Sequence, residues 1–319
     1  MDSKLKNMSR SLFKNTIRAT AMMTFASLGL VVAAHATSLP ANHLDLQDHM
    51  FMGSDNTEAE FNEVIDRVID IYAPVVKAHG GNLVVNRLWK DSTVNASATQ
   101  DNFGNGWRLN MYGGLFRRPE MTVDGFALVL CHELGHHLGG YPYYPDNFTA
   151  AWAADEGQAD YFATQVCAKR IWTNELADNA KAANTVNSFA RKACDGSFSR
   201  QADRNLCYRT ANAGVPLATL LGVLQGKDPK SLDYSKTDTS VVNKTNNAHP
   251  DAQCRMDTYL MGAVCSANFD AAVIPARKNP GGEHTIDAEK VASRYSCMKV
   301  SGFKTGLRPN CWFAPLTGR

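Results

Sequence analysis

From residue 58 to 78 the apolar side chains Phe61, Val64, Ile65, Val68, Ile71, Tyr72, Val75 and Val76 recur at steps of three and four. That spacing predicts an amphipathic helix, with Pro74 able to kink it and Gly80-Gly81 to stop it. Strand-like stretches follow at 82–89 and 93–99, and a Gly/Asn-rich turn at 102–106 leads to a third at 107–112. The pattern predicts a helix over 122–138, stopped by Gly139-Gly140 and Pro142, and a second over about 149–171. Lys169 and Arg170 suit the C-terminal dipole of that second helix. Further helices are expected over 174–193, over 213–225 and after Pro250, with 37–55 and 231–247 polar and irregular.

The first residues set the expected compartment. Lys4, Lys6, Arg10, Lys14 and Arg18 precede an uncharged run from Ala19 to Ala34 and the small-residue pattern Ala34-His35-Ala36. This order reads as an export signal cut after Ala36. The apolar run is shorter than the roughly 20 residues a spanning helix needs. Removing residues 1–36 takes the formal net charge from +2 to −2, because the leader carries those five bases and only Asp2. With no Lys/Arg cluster elsewhere, the composition argues against a nucleic-acid partner, and no later stretch is long and apolar enough to span a bilayer.

All eight cysteines, at 131, 167, 194, 207, 254, 265, 297 and 311, lie after the leader. An even number behind an export signal predicts up to four disulfides. Two intervals read as loops, 194–207 and 297–311, and each pair of ends is a candidate bridge. Cys254 and Cys265 are poor partners, because the helix expected between them would hold them about 16 Å apart. The expected organisation is a leader over 1–36, a catalytic domain over 37–266 and a cysteine-containing extension over 267–319.

The candidate chemistry lies in Cys131-His132-Glu133-Leu134-Gly135-His136-His137. His132 and His136, four apart on a helix, lie only about 40° apart around its axis, so both imidazoles can reach one metal ion. Glu133 can point alongside that ion and take a proton from water there. The pattern alone is modest, and a solvated helix face would also display it. The stretch Asp155-Glu156-Gly157-Gln158-Ala159-Asp160 strengthens it. Glu156 and Asp160 share a helix face, and a reversal through 141–148 would turn that face toward the histidines. Glu156 would then complete a His₂Glu zinc site with an open fourth position. Asp160 would hold the other ring N–H of a ligand histidine. His137 could pair with Glu133 instead, but that would leave His132 unused and no general base beside the metal. Cys131 projects about 100° away from His132 and is expected to be buried or disulfide-bonded rather than coordinating.

At these residues the chain resembles the gluzincin metallopeptidases, in particular the HtpX-type (CAAX prenyl protease-like) family. The resemblance spans roughly 58–170 and 213–265 and includes three further segments. Val94-Asn95-Ala96-Ser97-Ala98 resembles the family's edge strand, which implies that Asn95, Ala96, Ser97 and Ala98 pair with substrate backbone. Asn110-Met111-Tyr112-Gly113-Gly114-Leu115 sits where the family places a strand and turn before the active-site helix. Ala248-His249-Pro250 with Arg255 resembles the family's HP-plus-Arg segment, which implies that His249 stabilises an oxyanion and Arg255 supports the site. The cysteines and the missing membrane helices depart from the integral-membrane members.

The combined expectation is an α+β, zincin-like fold, mainly helical, with a small sheet beside the helix that carries His132 and His136. Function is expected to be hydrolysis of protein or peptide substrates by a periplasmic or secreted Zn²⁺ endopeptidase, with a role in envelope protein quality control implied by the resemblance. Two rivals remain: a zinc-bearing chaperone-like module that binds unfolded chains without cutting, and a metal-independent structural protein.

Overall fold

Thr57 starts the first long helix, α1 (Glu58–Ala78). Its hydroxyl accepts from the Glu60 backbone while Glu60 reaches back to the Thr57 N–H, a capping box. The expected apolar stripe from Phe61 to Val76 is the buried face of this helix, and Pro74 is accommodated within it. The structure is a computed structural model, described here for residues 35–44, 54–101, 104–145, 151–278 and 282–316. The expected leader lies almost wholly outside the described residues. All the described residues belong to one compact unit.

The fold is α+β, dominated by helices around a four-stranded mixed sheet. Its strands are β1 (His35–Thr37), β2 (Asn82–Leu88), β3 (Ala96–Gln100) and β4 (Gly106–Tyr112), in the order β1-β3-β4-β2. β2 runs parallel to β4, while β3 is antiparallel to both β4 and β1. A short helix, α2 (Gly113–Phe116), leads into α3 (Val123–Leu138), which is capped by Thr122. Every residue of α3 from Gly125 onward is buried. The described residues contain no helix long and apolar enough to cross a membrane.

The helix expected over 149–171 starts later. Asp155 caps α4 (Glu156–Phe162) by accepting from the Gln158 N–H, and a π turn at Ala163–Cys167 continues into α5 (Ala168–Trp172). The preceding residues are committed elsewhere: Ala154 bridges Tyr143, and its N–H donates to the His136 carbonyl. Next come α6 (Leu176–Lys181) and α7 (Ser188–Ser197), where one helix over 174–193 was expected. α8 (Gln201–Leu224) absorbs the helix expected at 213–225 and begins twelve residues earlier than that. α9 (Ala252–Val264) follows Pro250 as expected, and α10 (Ile286–Ala292) lies in the C-terminal region.

The disulfides are Cys131–Cys167, Cys194–Cys207, Cys254–Cys311 and Cys265–Cys297. The second pair matches expectation, although helices α7 and α8, not a loop, present its two ends. The candidate pair Cys297–Cys311 does not form; Cys311 is tied to Cys254 in α9 and Cys297 to Cys265 just past its end. The C-terminal region therefore braces the helices: Trp312 packs against Gly157, and Arg308 donates to the Gln158 side chain at 2.7 Å. Replacing Cys131 and Cys167 together with alanine is expected to lower stability by about 4 kcal/mol, given the loop they close. Denaturant unfolding measures this, and a change under 1 kcal/mol would contradict a stapling role for the bridge.

Candidate metal centre

Two close helix approaches assemble the site. A Cβ on Gly135 of α3 would lie 2.9 Å from the Ala159 carbonyl of α4, so glycine there lets the two backbones approach. A Cβ on Gly262 would meet Thr164 at 2.1 Å, so α9 also lies directly against the helix that continues α4. The first contact turns Glu156 and Asp160 toward the histidines, and the second brings Arg255 to the same place.

His132, His136 and Glu156 come together completely buried, each offering one ligand atom, with all three atoms within 4.8 Å of one another. The other ring nitrogens are already committed. His132 Nδ1 lies 2.7 Å from Asp160 Oδ1, and His136 Nδ1 lies 2.8 Å from the Ala154 carbonyl. These acceptors make Nδ1 the donor in both rings and point Nε2 inward. His132 Nε2, His136 Nε2 and Glu156 Oε2 are buried without a hydrogen-bond partner. They face one another, with His132 Nε2 3.2 Å from Glu156 Oε2, and a metal ion between them would satisfy all three. The group can therefore hold a metal ion.

Asp160 holds more than the His132 ring. Besides His132 it takes both Nε and Nη2 of Arg255 at 2.6 Å and the Tyr259 hydroxyl at 2.9 Å. Burial alone would push the Asp160 carboxyl up, but Arg255 and His132 outweigh it and hold it below the usual range. His249 Nε2 lies 3.5 Å from Glu156 Oε2 and 2.6 Å from the Thr37 carbonyl. Burial opposes ionisation of Glu156, yet His249, His136 and His132 keep it an anion.

Glu133 stands beside the ligand group and outside it. Burial pushes its carboxyl up to about 8, reinforced by Glu156 and opposed by His132, Ser38 and Arg255. One oxygen accepts from the Ser38 hydroxyl, and the other has no partner. His137 is no ligand: its ring is stacked between Trp107 and Trp152, with centroids 5.0 and 4.6 Å away. Cys131 is disulfide-bonded. Asn95–Ala98, expected to be an edge strand open to substrate, is covered on its outer side by β1, with Ala36 opposite Ala98 and Thr37 opposite Ser97. The segment after β1, expected to be irregular, has Ser38 and Leu39 fully buried.

Three participants were not anticipated from the sequence. Tyr144 donates to Glu156 Oε1 at 2.8 Å, Tyr259 binds Asp160, and Ser38 reaches Glu133. Tyr259 lies four residues after Arg255, a spacing that puts both on one face of α9. Nothing in the local pattern marks Ser38 or Tyr144. A second grouping, Asp238 with Cys254 and Cys311, has both sulfurs locked in a disulfide and offers no comparable ligand set. The chain matches no known protein-family model, no curated protein and no solved structure.

The ionisation of the ligand residues sets a pH dependence. Burial disfavours a charged His132, but Asp160 and Glu156 outweigh it and raise its pKa to about 9; burial lowers His136 to about 4. Between pH 5 and 8 a metal ion therefore displaces the proton of His132, and a cation beside Glu133 also opposes the proton that burial keeps there. Metal affinity should fall at least about tenfold per pH unit as pH drops through this window, measured by competition with a chelator of known affinity. An affinity independent of pH would rule out His132 as a ligand. Glu156→Ala should abolish stoichiometric binding, and Asp160→Asn should weaken it roughly 10- to 100-fold.

Proposed function

We propose that the protein is an exported zinc-dependent endopeptidase with a zincin-like active site of the kind its motifs resemble. The observation that carries the reading is the buried His132–His136–Glu156 group with a second carboxylate, Glu133, beside it and not consumed by it. Two histidines and a glutamate with an open position form a catalytic zinc set, and metal-only roles have no use for Glu133. Four disulfides favour an oxidising compartment, consistent with a periplasmic or secreted protein.

Zinc held by His132, His136 and Glu156 would supply Lewis acidity to a carbonyl and lower the pKa of water toward about 7. Glu133 takes the proton of the attacking water and delivers it to the leaving amine. Its buried setting, with a pKa near 8 in the metal-free site, suits a group that both accepts and donates near neutral pH. His249 donates its Nε2–H to the oxygen that gains charge, as it does to a backbone carbonyl now. Asp160 and Arg255 hold His132 in the required tautomer. Substrate backbone pairs along Asn95–Ala98, so recognition rests on main-chain hydrogen bonds and accepts many sequences. That breadth suits the turnover of damaged envelope proteins.

Glu133→Gln should keep one zinc per chain and lower turnover of a casein-type substrate about a hundred- to ten-thousand-fold. Equal turnover by variant and parent would overturn the peptidase reading and favour a zinc-bearing module that binds unfolded chains without cleaving them.

A further inference from the structure

We infer that residues 37–42 are a resident latch that occupies the substrate groove and must leave before a peptide can reach the metal centre. The inference rests on the peptidase reading and concerns the regulation of that same site. Apart from Ala98, which pairs with Ala36, each group proposed to handle substrate is already engaged by this segment. The Thr37 carbonyl accepts from His249 Nε2 at 2.6 Å, and the Ser38 N–H donates to the Ala96 carbonyl at 3.2 Å. The Ser38 carbonyl accepts from Arg255 Nη1 at 2.5 Å, and the Ser38 hydroxyl donates to Glu133.

The hydroxyl contact decides between latch and substrate. A peptide poised for cleavage leaves both Glu133 oxygens to the water, whereas Ser38 holds one of them with its own O–H and leaves only the second without a partner. The segment is then fastened downstream. Leu39 is fully buried, and the Asn95 side chain clasps its backbone from both sides, accepting its N–H and donating to its carbonyl, each at 3.0 Å. The Asn42 amide donates to the Val94 carbonyl at 3.1 Å and to the Pro40 carbonyl at 3.0 Å. Backbone pairing, oxyanion donor and general base are therefore held by one short stretch of the chain itself. Cleavage of the leader after Ala36 would leave this stretch in place, starting at Thr37, so export would not by itself open the groove.

The test uses the exported full chain loaded with zinc, and Leu39→Ala and Asn42→Ala variants checked for one zinc per chain. Leu39 is a core residue, so Asn42→Ala, at a half-buried position, keeps the test valid if Leu39→Ala misfolds. Binding of the hydroxamate of a blocked Ala-Leu dipeptide is followed by calorimetry, which needs no turnover. Both variants should bind it at least tenfold more tightly than the parent. Hydrogen exchange at amides 38–42 of the parent should rise when the hydroxamate binds. Equal affinities, no binding by any form, or unchanged exchange would overturn the latch and show the segment to be a permanent part of the sheet. A mass showing that the parent chain begins after Thr37, while Glu133→Gln retains Thr37, would overturn it by making the segment a cleaved substrate. Tightened hydroxamate binding without casein turnover would instead uphold the latch and overturn the peptidase reading.

Discussion

The buried carboxylate of Asp160 is the interaction on which the site depends. It has no exposure, and it joins three helices by binding His132 of α3 and Arg255 and Tyr259 of α9. A lone carboxylate at that depth would be strongly penalised. The two-pronged contact with Arg255 meets that cost and fixes the geometry. Arg255 is equally buried, so neither partner is tolerable without the other. The pair thereby aligns His132 and places α9, and the chain at His249 that leads into α9, against the same cleft.

Close packing makes the charge network possible. Backbone contact at Gly135 and Gly262 leaves no room for intervening side chains, so short carboxylates can span from helix to helix. The Cys131–Cys167 bridge holds α3 to the helix that carries Glu156, while Cys254–Cys311 and Cys265–Cys297 fasten the C-terminal residues to α9. Through Trp312 and Arg308 those residues back the side of α4 away from the ligand atoms. The cysteines are thus not an appendage to the chemistry. They brace the helices whose separation sets the spacing of the ligand atoms.

The sheet contributes an edge. β3 presents its backbone beside α3, and the chain covers that edge with its own β1 and the residues after it. An uncovered strand beside a metal centre would invite any extended chain to pair with it. Covering it with a short, clasped segment keeps that edge satisfied.

Much of this was legible in the residue pattern. The three-and-four spacing from Phe61 to Val76 marks α1, and the i, i+4 pairs His132/His136 and Glu156/Asp160 each define one face of a helix. Local geometry determines these, because a residue's place around a helix depends only on its spacing. The pattern could not say where α4 begins, since its start depends on Ala154 and Asp155 being held by the chain at His136 and Pro142. Nor could it pair Cys254 with Cys311, because bridging depends on which distant segments pack side by side. The place of Ser38 against Glu133, 95 residues away, is of the same kind. By itself, then, the sequence determined which side chains could act together on one helix. Only the tertiary structure decided which helices meet and what fills the groove between them, because those contacts join residues that no local spacing relates.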